Sequence, residues 1–382
     1  MDFRLSEDQL MFKRMFADFC TKEIRPQGEQ IDQAEEPPTA LLDKAVDQGF
    51  WAALVPEELE GCGLDAYTYM LMLEELARAD MSTALILSVH NSLVVKPLID
   101  HGTDDQKDRY LDALAFGEML GAFALTEPGA GSDAAALATT AEREDEQYVL
   151  NGTKIWVTNG SLAGLILVVA RAPDGMIALL VDADSPGLRV GYREKTLGLR
   201  GATFNTLYLD GVRVPVANQL GEEGQGLKIA LQALDLSRLG MAALALGASE
   251  RALEEAVQFS IEHIQFGGPI AQKQIIQNYI ADAKAAVEAL RCLVAHTAWL
   301  ADTDQPFAQQ ASIAKLCGAR TAAAVTHKML QVHGGYGYMK EYAIERYYRD
   351  CRALEIAEGT SQIQQFLIAR EIYKAEGIDI RP

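Results

Sequence analysis

The chain has 382 residues, 49% hydrophobic and 23% charged, which excludes a disordered or collagen-like protein. This length exceeds one ordinary hydrophobic core and predicts two or three domains. Its 34 Lys and Arg against 54 Asp and Glu give a net charge of −20, which argues against binding to nucleic acid or to anionic membrane surfaces.

The N-terminal third carries helical signals, and residues 1–120 are predicted to form an α-helical domain. Ser6 followed by two acidic residues is typical of a helix start. Apolar residues recur at helical spacing in 66–79 and 81–99. Gly and Pro clusters between these stretches indicate loops.

Residues 121–222 are predicted to form a small β domain, a sandwich or barrel. Short β-prone runs alternate there with Gly, Pro and Asp, at 165–170, 177–181, 188–190 and 204–214. The dipeptide Asn151-Gly152 separates two further β-prone runs, and it favours a tight turn. We therefore expect a hairpin over 147–158 with its turn at this dipeptide.

Residues 223–382 are predicted to form an antiparallel helix bundle. Apolar residues recur at steps of three or four from Ile276 to Val294, which gives one continuous apolar stripe. Residues 312–332 and 361–373 are also predicted helices, as expected for a bundle. The predicted fold is mainly α with a central β domain.

The five cysteines are scattered, and no pair has the spacing of a metal-binding or redox motif. We therefore expect a reducing compartment. The first eight residues include several charged ones where a signal peptide is apolar, and the most apolar stretches, 162–170 and 240–248, are too short to span a bilayer. These features predict a soluble, cytoplasmic protein without membrane insertion.

Two glycine-rich segments each have two readings. Residues 126–133, Thr-Glu-Pro-Gly-Ala-Gly-Ser-Asp, form either a surface turn or a loop whose backbone N–H groups approach a phosphate or a flavin. A predicted hairpin follows instead of a helix, so the segment is a poor dinucleotide fingerprint. Residues 331–338 form either a helix C-cap with a bend or a backbone close to a cofactor.

Glu358 is the candidate base. In the simplest reading it precedes a helix whose N-cap is Thr360 or Ser361. In the functional reading its carboxylate lies in an apolar site that raises its pKa, so that it accepts a proton near neutral pH. The six His form no metal-binding pattern, and serine-nucleophile and P-loop motifs are absent from the sequence. We expect no metal.

Taken together, these motifs resemble the acyl-CoA dehydrogenase family over almost the whole chain. The resemblance rests on six segments in the family's order, namely 124–133, 156–158, 235–238, 265–267 with Gln274, 331–350 and 358–360. It implies an N-terminal helical domain, a middle β domain and a C-terminal four-helix bundle.

The resemblance also implies a reaction. Family members bind FAD, form homotetramers or homodimers, and convert an acyl-CoA thioester to the trans-2-enoyl-CoA. A base removes the α-proton while a hydride passes to flavin N5, and the electrons then go to electron-transfer flavoprotein. A short or branched acyl chain is the expected substrate.

Residue by residue, the resemblance assigns Glu358 as the catalytic base. The positions that match FAD contacts are Phe123, Leu125, Thr126, Gly131, Ser132, Trp156, Thr158, His263, Gln274, Gln331, Gly334, Gly335, Thr360 and Gln362. The positions that match substrate contacts are Ser132, Asp235, Arg238, Ala357 and Gly359.

Three positions depart from the family's pattern. His263 stands where an Arg commonly meets the FAD pyrophosphate, and a neutral imidazole attracts phosphate less than a guanidinium does. Ala357 replaces a frequent Tyr, which enlarges the expected acyl pocket. Ser237 stands where some members carry an alternative base, which leaves Glu358 as the matched base.

Three alternatives stay open at this point. The same fold could act on an acyl-carrier-protein thioester, or it could use oxygen as the acceptor. The loss of Arg at 263 could instead mark a non-catalytic paralogue without FAD, although Glu358 and Thr158 are both retained.

Overall fold

The computed structural model describes residues 4–380, and its elements follow the predicted order of helices, strands and helices. The α-helices are α1 (Glu7–Phe19), α2 (Gly28–Ala34), α3 (Thr39–Val46), α4 (Ala66–Ala79), α5 (Met81–His90), α6 (Lys96–His101), α7 (Asp104–Ala115), α8 (Gly226–Glu262), α9 (Gln274–Asp302), α10 (Ala308–His333), α11 (Ile344–Cys351) and α12 (Ser361–Ala375). The predicted class, mainly α with a central β domain, is confirmed.

The first helix begins where the sequence predicts. The Ser6 side chain accepts a hydrogen bond from Gln9 N at 3.1 Å, and the Gln9 side chain accepts one from Ser6 N at 3.1 Å. This reciprocal pair satisfies two backbone donors that the first turn leaves free. A π-helical turn, Asn91–Val95, joins α5 to α6, so that a long helical run crosses the interior.

Eight strands form one sheet in the middle of the chain, in the order β6-β7-β3-β2-β4-β5-β8, with β1 parallel to β4 at one side. The strands are β1 (Leu120–Ala124), β2 (Thr140–Glu144), β3 (Gln147–Thr158), β4 (Ala163–Ala172), β5 (Gly175–Asp182), β6 (Leu188–Arg193), β7 (Phe204–Pro215) and β8 (Gln219–Leu220). Two short strands, β9 (Ile264–Gln265) and β10 (Gly268–Pro269), form a separate hairpin after α8.

The predicted hairpin turn at Asn151-Gly152 is wrong. The dipeptide lies inside β3, which runs unbroken from Gln147 to Thr158 and pairs with β7. The turn lies earlier, between β2 and β3, where Asp145 adopts a left-handed φ of 51°. Gly152 is needed for another reason: a Cβ there would lie 2.7 Å from the Cα of Thr139, so the neighbouring backbone leaves no room for a side chain.

The sheet packs on both faces. One face buries a cluster that includes Leu150, Ile166 and Leu207. The other face packs residues such as Leu165 against Val94 and the helices α6 and α7. Strands β4 and β5 are therefore apolar on both sides, and they read in the sequence as continuous apolar runs.

The helices at the two ends of the chain share one hydrophobic core. Residues of α4 and α5 such as Leu73 and Ile86 belong to the same cluster as Leu239 of α8 and Val287 of α9. The apolar stripe predicted in α9 is confirmed, because Ala283, Val287, Leu290 and Val294 are all buried. In the bundle, α8 packs against α9 and α10, and α10 packs against α12.

Two helical stretches within residues 4–380 are long and apolar enough to cross a membrane by length and composition, Met81–His101 and Gly226–Glu262. Both are longer than the apolar segments recognised in the sequence, because polar residues interrupt the runs without ending the helices. However, 89% and 83% of their most apolar windows are buried inside the protein. Their apolar character is therefore accounted for by the shared core.

Candidate active site

A cavity of about 1540 Å³ opens between the sheet and the C-terminal helices. Its walls come from α5, the loop after β1, the end of β3, α8 and the turn before α12. Thirteen of the predicted site residues line it: Phe123, Leu125, Thr126, Gly131, Ser132, Trp156, Thr158, Asp235, Arg238, Ala357, Glu358, Gly359 and Thr360. Positions more than 200 residues apart in the chain therefore meet in one space.

Glu358 lies in a tight turn that the helix α12 follows. Its φ is 55° and that of Gly359 is 93°, so two successive residues are left-handed. This backbone is unfavourable for a residue with a side chain, at a cost of about 1–2 kcal/mol for Glu358. Thr360 then caps α12 by accepting a hydrogen bond from Ile363 N at 3.3 Å, as predicted for one of two candidate caps.

The Glu358 carboxylate is buried and has no partner. Neither Oε1 nor Oε2 accepts a hydrogen bond, although both are shielded from solvent. Burial raises the pKa of this carboxyl, and the nearby Ser237, Lys315 and Arg238 oppose that rise. The Ser237 hydroxyl lies close by without forming a bond of ordinary geometry. Such a group binds a proton more readily than a solvated carboxylate does.

Arg238 and Asp235 form an ion pair one helical turn apart on α8. Arg238 Nη1 lies 2.7 Å from Asp235 Oδ1, and Arg238 is 6% exposed while its Nε has no partner. Burial lowers the pKa of Arg238, and the charges of Asp235 and Glu358 raise it. Arg238 is therefore close enough to Glu358 for their charges to interact inside the cavity.

The β-domain wall is shaped by a bulge in β3. The pairing with β7 shifts register between Lys154 and Val157, and Trp156 adopts a φ of 55° there. A bulge of this kind turns a side chain away from the sheet, and Trp156 is 61% exposed as it lines the cavity. Ile155 N donates to Thr126 O at 2.9 Å, which ties the bulge to the loop after β1.

A buried ion pair holds the same loop. Lys154 Nζ lies 2.7 Å from Glu127 Oε1 and donates to Leu125 O at 3.0 Å. Glu127 also accepts hydrogen bonds from the backbone N–H groups of Ala138 and Thr139, at 2.6 and 3.0 Å. Burial lowers the pKa of Lys154 to about 8, and Glu127 opposes this. The loop that begins at Leu125 is thereby fixed at both of its ends.

Six predicted site residues lie outside the cavity: His263, Gln274, Gln331, Gly334, Gly335 and Gln362. The last five are exposed. His263 stacks on Phe259 with ring centroids 4.9 Å apart and meets Tyr336 edge-on at 5.5 Å. Since Tyr336 follows the glycine pair directly, His263 and the 334–335 segment do share one patch of surface. A Cβ at Gly334 or Gly335 would contact nothing within 4 Å, so this backbone is open.

The sequence reasoning missed several residues at the site. Lys315 and Gln364 hold the turn of Glu358, and Lys154 holds the loop after β1. The cavity is also lined by Leu85, Val89 and Leu93, which lie on one face of the helical run formed by α5 and the π-helical turn after it. The only sequence signal for Lys315 is a lone lysine among apolar neighbours, and the only one for Lys154 is a lone lysine in a β-prone run.

The size and chemistry of the cavity fit a flavin beside a substrate. Ordinary single-ligand pockets measure about 300–1,000 Å³, so this cavity exceeds the room that one ligand needs. The open backbone at Gly129 and Gly131, where a Cβ would contact nothing within 4 Å, lets N–H groups approach a ligand closely. Among residues 4–380 no group of three or more His, Cys, Asp or Glu is placed to hold a metal ion.

Comparison with known sequences and structures identifies the family. Sequence models of the acyl-CoA dehydrogenase N-terminal, middle and C-terminal domains match residues 6–118, 122–212 and 224–373. The chain is 41% identical over 376 residues to the mitochondrial short-chain specific acyl-CoA dehydrogenase of Mus musculus, covering 97% of this chain and 91% of that protein.

Two solved structures are similarly close. Butyryl-CoA dehydrogenase from Megasphaera elsdenii matches with a TM-score of 0.96 and 37% identity, over 98% of this chain and all of that one. A chain in a structural study of the electron transferring flavoprotein of Acidaminococcus fermentans matches with a TM-score of 0.96 and 40% identity, over 97% and 99% of the two chains.

The fold and the cavity define a flavin-dependent oxidoreductase. The chain belongs to the acyl-CoA dehydrogenase family, and FAD is the cofactor of that family. Membership in a family of FAD-dependent enzymes disfavours the non-catalytic paralogue without FAD that the sequence left open.

Proposed function

We propose that this protein oxidises a short-chain acyl-CoA to the trans-2-enoyl-CoA, with Glu358 as the base that removes the α-proton. The observation that carries the proposal is the Glu358 carboxylate, whose two oxygens are buried without partners in the cavity that Thr126, Trp156 and Thr158 also line. A carboxylate without a hydrogen-bond donor is free to accept a proton from a bound substrate.

The environment of Glu358 suits this chemistry. The α-proton of a thioester is weakly acidic, so a base with a raised pKa is better matched to it than a solvated carboxylate. Burial supplies the rise in pKa, whereas the nearby cations Lys315 and Arg238 oppose that rise and so favour the ionised form. The Glu358 backbone N–H lies in the same turn, and we assign it to stabilise the enolate oxygen that develops as the proton leaves.

FAD, when bound, supplies the acceptor for the hydride that leaves the β-carbon. We assign its ring to the wall formed by Thr126, Trp156 and Thr158. We assign its nucleotide portion to the six residues that lie outside the cavity, which are the half-buried His263 and the five exposed positions from Gln274 to Gln362. Because that set is separate from the cavity in one chain, we infer that a second copy of the chain completes the cofactor site, in a homodimer or homotetramer.

The acyl group would lie against Leu85, Val89 and Leu93, with Ala357 beside the base. The small side chain at 357 leaves space near the reacting carbons, which suits a short straight or branched chain. Ser132 is exposed at the cavity, and so are the cations Lys195 and Arg352. We assign these groups to contact the CoA phosphates, for which Arg352 would exchange its present partner, Glu355.

The test is product formation by the FAD-loaded protein. Acyl-CoAs of increasing length, with branched and dicarboxylic ones, are incubated with electron-transfer flavoprotein, and the 2-enoyl-CoA is measured. We expect the highest kcat/KM with butyryl-CoA or a similarly short branched ester. The absence of an enoyl product from every acyl-CoA would contradict the proposal.

Two changes to this assay test the alternative acceptor, oxygen, and the alternative carrier, acyl-carrier protein. Peroxide formed at the rate of product under air would identify oxygen as the acceptor in place of electron-transfer flavoprotein. A thioester of acyl-carrier protein that reacts faster than the same acyl-CoA would identify a different carrier. We propose electron-transfer flavoprotein because a solved chain similar to this one was studied together with such a protein.

A further inference from the structure

The turn that carries Glu358 is held by two buried side chains. Lys315 of α10 is 1% exposed, and its Nζ donates a hydrogen bond to Gly359 O at 2.6 Å. Gln364 of α12 is fully buried, and its Nε2 donates to Glu358 O at 3.2 Å and to Gly359 O at 3.0 Å. Both carbonyl groups of the left-handed turn are thus bonded, whereas the carboxylate of Glu358 is free.

Lys315 is an unusual buried lysine. A lysine this deep is normally paired with a carboxylate, yet among residues 4–380 the hydrogen-bond acceptor of its ammonium is the Gly359 carbonyl oxygen, and it forms no direct ion pair. Burial lowers the pKa of Lys315 to about 8, while the charge of Glu358 opposes that lowering. The cation is therefore near the carboxylate without neutralising it in a direct ion pair.

We propose that Lys315 is a positioning residue for the base: its hydrogen bond to the Gly359 carbonyl fixes the turn, and its buried charge keeps Glu358 ionised once substrate has excluded water. This inference rests on the proposed function, because it requires Glu358 to be the base. Lys315 acts through the turn and through its electric field, and it need not contact the thioester. A direct ion pair would hold the carboxylate away from the α-carbon.

Other groups face Glu358 from the helices packed around it. Arg238 and Ser237 face it from α8, and the Tyr69 hydroxyl faces it from α4. The Arg238 charge is shared with Asp235, and Tyr69 bonds Ser92 at 2.9 Å. Among residues 4–380 the ammonium of Lys315 forms no ion pair of this kind, and its hydrogen bond goes to the Gly359 carbonyl. Glu355, which precedes the turn, faces Lys315 and favours its charged form.

The experiment compares variants that separate the charge from the hydrogen bond. Lys315→Met removes both, Lys315→Gln keeps an amide donor but no charge, and Lys315→Arg keeps the charge. Gln364→Met, the matched control, removes donors to the same turn and leaves the charge unchanged. The rate of anaerobic flavin reduction by butyryl-CoA is measured with each FAD-loaded protein between about pH 6 and 9.

We expect Lys315→Met to lower the rate at neutral pH about tenfold and to move the acid limb of the profile to higher pH, because the base protonates more readily without the cation. Lys315→Gln should move the limb in the same direction, and Lys315→Arg should restore it. Gln364→Met should lower the rate about tenfold without moving the limb, because it loosens geometry only.

An acid limb that stays at the wild-type pH in Lys315→Met would overturn the inference. If that variant fails to fold, a wild-type limb in Lys315→Gln overturns it equally. Glu358→Gln, measured alongside, keeps the two proposals apart. A Glu358→Gln protein with the wild-type rate defeats the proposed function itself. An inactive one, combined with unshifted Lys315 variants, defeats only the role of Lys315.

Discussion

The buried Lys154–Glu127 pair offers a sharp test of what holds the loop after β1. Lys154 is fully buried and Glu127 is 4% exposed, so Lys154→Met leaves a buried carboxylate without its counter-charge. Breaking such a pair costs about 3–5 kcal/mol. Two backbone N–H groups continue to bond Glu127, which places the expected loss in unfolding free energy near the lower end, about 3 kcal/mol.

The sheet provides a matched control. Arg213 pairs with Glu144 at 2.8 Å, but these side chains are 56% and 53% exposed. Arg213→Met removes the same charge and should cost less than about 1 kcal/mol, because an exposed pair is solvated and screened. Thermal unfolding of the FAD-loaded proteins should show a Tm about 4 °C lower for Lys154→Met and a change within about 1 °C for Arg213→Met.

A double variant measures how much of the loss comes from the unpaired charge. Glu127→Gln combined with Lys154→Met removes both buried charges, so it should be less destabilised than the sum of the two single variants. Equal stability of Lys154→Met and Arg213→Met would refute the reasoning, since burial would then make no difference. A double variant whose loss equals the sum would refute the claim that the unpaired charge is the main cost.

Three further predictions concern the cofactor, pH and the turn. His263→Arg should slow the release of FAD on dilution, measured by flavin fluorescence, because a guanidinium attracts the FAD phosphates more than an imidazole does. His296→Arg, on an exposed face of α9, should leave the release rate unchanged. Equal release rates for His263→Arg and the wild type would contradict this prediction. Burial raises the pKa of Asp350 to about 7, so the protonated carboxyl stabilises the fold at low pH, and this contribution is lost as pH rises from about 4 to 7. Asp350→Asn does not titrate, so its Tm should rise relative to that of the wild type over this range. A difference between the two Tm values that does not change with pH would refute this prediction. Gly359→Ala should lower the rate of flavin reduction about a hundredfold, because φ is 93° there and a Cβ would lie 2.7 Å from the buried amide nitrogen of Gln364. Gly131→Ala is the control, since a Cβ there would contact nothing within 4 Å, and it should fold normally. A Gly359→Ala protein with the wild-type rate would show that the turn tolerates a side chain at this position.

The helices could be predicted because the pattern that produces them lies within each helix's own sequence. The apolar stripe of α9 repeats every three or four residues, and its buried positions follow from that period alone. The prediction of the hairpin turn was wrong because the conformation of this segment depends on contacts with residues distant in the sequence. Asn151-Gly152 has the composition of a turn, but pairing with β7 keeps β3 extended, and the close approach of Thr139 explains the glycine.

The site residues likewise fall into those that the sequence predicted and those that only the structure reveals. Motif positions such as Thr126, Trp156 and Glu358 were found from the sequence, and the fold brings them to one cavity. Lys315 and Gln364 were not found, because their importance lies in carbonyl groups that they reach only after α10 and α12 have packed. The net charge of −20 likewise describes the solvated surface and says nothing of the cations inside the cavity.

The most direct test of the account is anaerobic reduction of the bound flavin by butyryl-CoA in Glu358→Gln. The variant should retain FAD and bind the acyl-CoA, because the substitution keeps the size of the side chain. It should lose at least about a thousandfold in the rate of flavin reduction, because an amide cannot accept the α-proton. A Glu358→Gln protein that reduces its flavin at the wild-type rate would contradict the assignment of the base.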